Sequence, residues 1–252
     1  METYELNSKQ VLYVGSPELC TNYLWEKKSE YLNPRIGVVS VESLSSEKDK
    51  GIEIITRNNA PIYEGLVLVN HPFKKNCFMD VTMAEDELFR QKLDAIVLVA
   101  RHLGVKSFKA QAKFENSRHY EFEADGDVKV GKFVNLDATY KHQEEEKRAM
   151  QYSREENFTG GFDMKGYEEA KRLANQFNLS EINSIIELRN PNFSNRLGCR
   201  KETLELSKEL NDITECAFSL NILAGVFKLG GSLKETISIQ KKVSLMTELN
   251  FE

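Results

Sequence analysis

The chain alternates between two hydrophobic periods, and the points where the period changes divide it into elements. Val11 to Val14 (VLYV) is a short apolar strand. Gly15-Ser16-Pro17-Glu18 follows, with Ser16 reading as a helix N-cap and Pro17 as the first helical residue. That helix is expected to reach about Tyr31, ahead of Asn33-Pro34. IGVVSV (Ile36 to Val41) and IEIIT (Ile52 to Thr56) read as strands, and the turn-rich stretch Arg57 to Pro61 leads into LVLV at Leu66 to Val69, which predicts a hairpin.

Thr82-Met83-Ala84-Glu85 has the spacing of a capping box, with apolar residues following at Leu88, Leu93, Ile96, Val97, Ala100 and Leu103 before Gly104. This predicts a helix over Ala84 to Leu103, closed by the glycine. After Gly104 the period becomes two: Phe108, Ala110, Ala112 and Phe114 on one side, Lys109, Gln111 and Lys113 on the other. Tyr120, Phe122 and Ala124 continue the pattern to the turn Asp125-Gly126-Asp127, and Val128, Val130, Val134, Leu136, Ala138 and Tyr140 carry it back in a long return strand.

Charges dominate His142 to Glu156, which reads as a solvated loop or the exposed part of a strand. Two helices follow, one carrying Tyr167, Ala170, Ala174 and Phe177, the other opening at Ser180 and stopping before Asn190-Pro191. From Lys201 to Leu229 the residues Leu206, Leu210, Ile213, Ala217, Leu220, Ala224 and Phe227 recur at steps of four and three, predicting a helix that stops at Gly230-Gly231. It is apolar all round beyond about Glu215, so its second half is expected to be buried. The longest alternation comes last: Ile237, Ile239, Val243, Leu245, Leu249 and Phe251 face one way, Ser238, Gln240, Lys242, Ser244, Glu248 and Asn250 the other. At about 3.3 Å per residue such a strand spans roughly 50 Å, against the usual five or six residues.

An internal echo aligns Leu93-Asp94 with Leu220-Asn221, Val99 with Val226, Arg101 with Lys228 and Gly104 with Gly231. Duplication would produce it, and so would any two buried helices that end in a glycine cap before a strand.

The 252 residues are 40% hydrophobic and 29% charged, globular values that allow a large core without disulfides or metals. Lysine and arginine number 34 against 39 acids, a net charge of −5 spread along the chain. Nucleic acid is therefore not an expected partner, since no basic stripe is present to neutralise phosphates. Cys20, Cys77, Cys199 and Cys216 form no CxxC pair and read as reduced thiols of a cytoplasmic protein. METYELNSKQ lacks the features of a signal peptide, and the most apolar run, Ala217 to Leu229, is too short for a membrane helix and suits a buried segment.

The most enzyme-like cluster is HYEFEADGDVK, in which Glu121, Glu123, Asp127 and Lys129 have the acid-x-Lys arrangement that can hold a divalent ion and orient water. The same residues also read as the polar face of a strand and its hairpin turn. His71, His102, His119 and His142 fall at no metal-ligand spacing, although Cys77 with His71, or Cys20 with any histidine, would supply the parts of a thiol site. The Gly15-Ser16-Pro17 turn is a candidate anion site, while Gly160-Gly161 and Gly230-Gly231 fit no phosphate-cradling pattern. No catalytic, cofactor-binding or metal-binding residue is assigned, and no cofactor is expected.

The strands at Val128 to Tyr140 and Ile237 to Phe251 exceed the roughly 9 to 11 residues that a membrane β-strand needs, each with one apolar and one polar face. In this the chain resembles the pore-forming domains of the gasdermin family, and the resemblance implies hairpins stored in a sheet and released into a membrane on a trigger. Lys132 and Lys241 lie on the apolar faces, each costing roughly 2 to 4 kcal/mol at mid-bilayer. A sheet with one face under helices and one in water produces the same alternation.

The expected fold is therefore α+β, a long-stranded, largely antiparallel twisted sheet packed against several helices. One domain is expected over residues 1–252, with room within it for a β-rich subdomain over 1–80. The expected function is a non-enzymatic cytoplasmic binding or effector protein whose partner is another protein or itself. A gasdermin-like pore-former is the alternative, the one reading in which a membrane is a partner, and a metal-dependent hydrolase comes third.

Overall fold

The computed structural model describes residues 6–25, 34–125, 128–134, 152–194, 196–206, 208–209, 211–213, 216 and 239–252. The fold is α+β with two sheets, one mixed and one mostly antiparallel. The chain divides into two compact units: Met1–Asp86, Arg118–Val134 and Glu209–Gln240 form one, and Glu87–Ser117, Asn135–Lys208 and Lys241–Glu252 the other.

In the first unit β1 (Val11–Val14) is buried throughout, as a strand covered on both faces requires. Gly15 follows it and leaves room for Leu19, whose Cδ2 would stand 2.8 Å from an added Cβ. Ser16 Oγ then accepts the Leu19 N–H at 3.2 Å and opens α1 (Pro17–Trp25), as the sequence suggests. The expected end of this helix near Tyr31 lies outside the described residues. The chain returns as β2 (Ile36–Val39), parallel to β1.

Two expectations fail here. The strand expected to reach Val41 stops at Val39, because Ser40 caps a helix, α2 (Val41–Asp49), by accepting the Ser43 N–H at 3.2 Å. The hairpin expected between Ile52–Thr56 and Leu66–Val69 does not form. Instead β3 (Glu53–Ile55) pairs in parallel with β5 (Cys77–Asp80), and β4 (Val67–Asn70) lies antiparallel to both β1 and β5, in the order β2-β1-β4-β5-β3. The intervening segment is too long for a tight turn and uses Asn58, Asn59 and Gly65 at positive φ to cross the sheet. Leu12, Val14, Leu44, Leu68 and Phe78 are central to the core of this unit.

α3 (Val81–His102) starts three residues before the expected Ala84. Its cap is Asp80, whose Oδ1 accepts both the N–H and the hydroxyl of Thr82 at 2.8 Å, rather than Thr82 itself. The helix closes as expected: Gly104 (φ 77) donates to Arg101 O and Val105 to Ala100 O, a Schellman motif.

β6 (Ser107–Asp125) leaves this cap, and its alternation holds: Phe108, Ala110 and Ala112 are buried while Lys109, Gln111 and Lys113 are exposed. β7 (Val128–Val134) pairs antiparallel with its far half, and the expected continuation to Tyr140 lies outside the described residues. Within the charged stretch, Tyr152 is buried edge-on against Phe89, and β8 (Arg154–Asn157) pairs with the near half of β6. The exposed-strand reading thus holds for 154–156, and 142–151 lie outside the described residues. α4 (Met164–Gln176) buries Tyr167, Ala170, Leu173 and Ala174, and a 3-10 turn at Ser180–Ile182 runs into α5 (Asn183–Leu188).

The helix expected from Lys201 is corrected. Cys199–Glu205 is a strand, β9, antiparallel to β10 (Ile239–Asn250), with Leu204 opposite Leu245 and both buried. Leu204 and Leu206 are both buried two positions apart, a strand period that the helical reading of Leu206 passed over. Residues 208–209 and 211–213 are helical, whereas 217–238 lie outside the described residues, and with them the second half of that helix and of the internal echo. In β10, Leu245, Leu249 and the following Phe251 are buried as expected, together with Thr247. Ser244 is also buried, although the alternation predicts it on the polar face.

Candidate functional site

In the second unit a shallow groove of about 760 Å³ runs across the outer face of β8, β6, β10 and β9. Alternation along β6, β9 and β10 creates it: Phe108, Ala110, Leu204, Leu245 and Leu249 enter the core with α3, α4 and α5, and the residues between them are left to the other face. Lys109 on β6 is in register with Glu155 on β8, and Lys109 Nζ meets Glu155 Oε1 at 2.9 Å. On the other two strands Glu248 is in register with Lys201, and Lys201 Nζ meets Glu248 Oε2 at 3.0 Å.

These two pairs are joined, because β6 and β10 are neighbours in the sheet and the Lys106 N–H donates to Asn250 O at 2.7 Å. The Lys109 ammonium is held above the usual lysine range first by its hydrogen bond and charge interaction with Glu155, and further by the negative charge of Glu248. Four strands therefore carry one row of alternating charge, Glu155, Lys109, Glu248, Lys201, with side chains 62%, 55%, 43% and 72% exposed. At that exposure water screens each pair, and the row fixes strand register more than it adds stability. Beside the row Met246, 44% exposed, stands in register with Thr203.

The residues singled out from the sequence lie elsewhere. Glu121 and Glu123 fall on β6 and Lys129 on β7, while Asp127 lies outside the described residues. Lys132 is in register with Glu121, Val130 with Glu123 and Lys129 with Ala124, so backbone pairing sets Lys129 beside neither glutamate. Among the described residues no group of three or more His, Cys, Asp or Glu is placed to hold a metal.

The β4–β5 hairpin does bring His71 and Cys77 together, His71 N–H donating to Cys77 O at 2.8 Å. The chemistry of the thiol runs the wrong way for a nucleophile. Burial, then the charge of Glu53, push Cys77 up to about 11, so it is protonated at neutral pH. Buried His71 accepts the Phe73 N–H on Nδ1 at 3.2 Å. Burial likewise raises Cys20 and Cys216, and Cys199 is exposed. His102 ends α3, His119 is on β6 and His142 lies outside the described residues.

At the Gly15-Ser16 turn, the charges of Glu42 and Glu64 add to burial in raising Cys20, and Glu64 does the same for Tyr13. The local field is negative, which opposes an anion at that helix start. At Gly160, the carbonyl accepts from Lys106 Nζ at 3.3 Å.

The sequence pattern places Lys109 and Glu248 on polar strand faces but does not show the row, because the helical spacing from Lys201 onward and the charge-rich stretch around Glu155 hide the two outer strands. The spacing of Leu204 and Leu206 on either side of Glu205 is the sequence signal for the first. Among the described residues no helix is long and apolar enough to cross a membrane. Comparison with protein-family models, curated proteins and solved structures found no match to the chain.

Proposed function

We propose that the chain is a non-enzymatic binding or effector protein that acts in the cytoplasm through protein–protein contacts, with the charged face of β8, β6, β10 and β9 as its contact surface. The observation that carries this reading is the exposed row of four alternating charges beside Met246. Strands hold these side chains at fixed spacing, so a partner meets a preorganised pattern rather than a mobile loop. Thiols held protonated by burial favour binding over nucleophilic catalysis, and four free cysteines suit a reducing compartment.

Amine-reactive cross-linking in the source cells, read by mass spectrometry, is expected to join Lys109 or Lys201 to a second polypeptide. Cross-links confined to lysines off this face would overturn the reading.

The length of β6, 19 residues, favours a second reading, a hairpin that inserts into a membrane after a trigger. It predicts dye release from anionic liposomes after limited proteolysis, and liposomes that stay sealed under all proteolysis conditions would exclude it.

A further inference from the structure

The order of charges in the row identifies a partner. Across the sheet the signs run minus, plus, minus, plus, from Glu155 on β8 to Lys201 on β9. An alternating row of even length becomes its own complement when reversed, whereas a row of three or five would meet like with like. We propose that this face pairs with the same face of a second copy of the chain, about a two-fold axis parallel to the strands and between β6 and β10. The proposal deepens the binding reading above and rests on it.

That axis exchanges β6 with β10 and β8 with β9. Lys109 then faces the partner's Glu248, and Glu155 faces the partner's Lys201, twice each by symmetry. A two-fold axis across the strands would set Lys109 against the partner's Lys109, so the row selects one of the two ways to lay the face on itself. Face-to-face sheets lie about 10 Å apart, a gap that lysine and glutamate side chains reaching from both sides can close. Packed sheets cross at about 30°, so the two Lys109–Glu248 contacts nearest the axis align best and the outer pairs splay.

The row is internally neutral, which removes repulsion at the contact, and exposed Met246 adds apolar surface beside it. Four strands at about 4.8 Å spacing make a narrow face, short of the roughly 800 Å² per partner of a standard interface. The dimer is accordingly weak and governed by charge pattern.

Charge exchange tests it on the purified full chain. Sedimentation equilibrium over a concentration series should show reversible dimerisation of the wild type. Lys109→Glu sets a glutamate against the partner's Glu248, and Glu248→Lys sets a lysine against the partner's Lys109, so each variant alone should lose about tenfold or more in self-affinity. Mixed in equal amounts the two complement each other, Glu against Glu248 being replaced by opposite charges at both central contacts, and dimer should return. A wild type that stays monomeric throughout the series overturns the proposal without reference to any variant, as does a mixture no better associated than its components. A monomeric chain whose Lys109 or Lys201 cross-links in cells to a different protein would end the self-pairing and leave the binding reading intact, whereas absence of both ends both.

Discussion

Gly104 carries two constraints that no other residue satisfies together. Its φ of +77 is left-handed, and an added Cβ would stand 2.6 Å from Phe162 Cβ. Gly104→Ala is expected to cost about 2 to 3 kcal/mol, combining left-handed strain with overpacking against the half-buried Phe162 side chain, as read from urea unfolding. Arg189 is a second special case. Its guanidinium lies 4.8 Å from the Phe162 ring and 4.3 Å from that of Phe251, donating through Nε to Leu103 O and through Nη1 to Leu197 O. Burial, then Arg196, lowers its pKa from the usual arginine range. Because a planar fork between two rings is the requirement, Arg189→Lys keeps the charge and should still lose about 1 to 2 kcal/mol in the same measurement.

At the scale of elements, caps decide where helices begin. Asp80 ends β5 and starts α3 in one residue, its carboxylate holding both polar hydrogens of Thr82. Asp80→Ala should destabilise the protein by about 1 kcal/mol, and Asp80→Asn, which caps as well, should recover most of that loss in chemical denaturation. The same logic explains why the strand after Ile36 is shorter than its apolar run suggests: Ser40 competes for the backbone and wins. Strand partners obey a different rule. β3 reads correctly as a strand, but its place beside β5 instead of β4 follows from the sheet as a whole, since main-chain hydrogen bonds carry no residue code.

For the whole molecule, alkaline stability follows from Cys77. Its folded pKa is raised to about 11 from an ordinary 9.0, so the folded state keeps a proton that the unfolded state releases. The stabilising contribution is complete below about pH 9 and is lost as pH rises through about 11. Thermal melts across that window should show Tm falling, and Cys77→Ala, less stable at neutral pH through its cavity, should have a shallower fall. A Tm as steep in Cys77→Ala as in the wild type would place the alkaline limb elsewhere. The row of charges on the second sheet belongs to this scale too, since its four members come from residues 109, 155, 201 and 248 and exist as a pattern only once four strands are assembled.

Local features were legible in the sequence: the helix start at Ser16, the end of α3 at Gly104, the alternation of residues 108–113 on β6 and 245–249 on β10, the burial of Tyr167, Ala170 and Ala174, and so the α+β class. These rest on backbone sterics and on burial period, which act over a few residues. Packing set the rest: that Lys201 to Glu205 is a strand, that β3 crosses to β5, and that Glu155, Lys109, Glu248 and Lys201 form one row. A short charged segment has nearly equal claims to helix and strand until Leu204 finds Leu245 opposite it, and a charge gains its partner from strand order, a property set by packing.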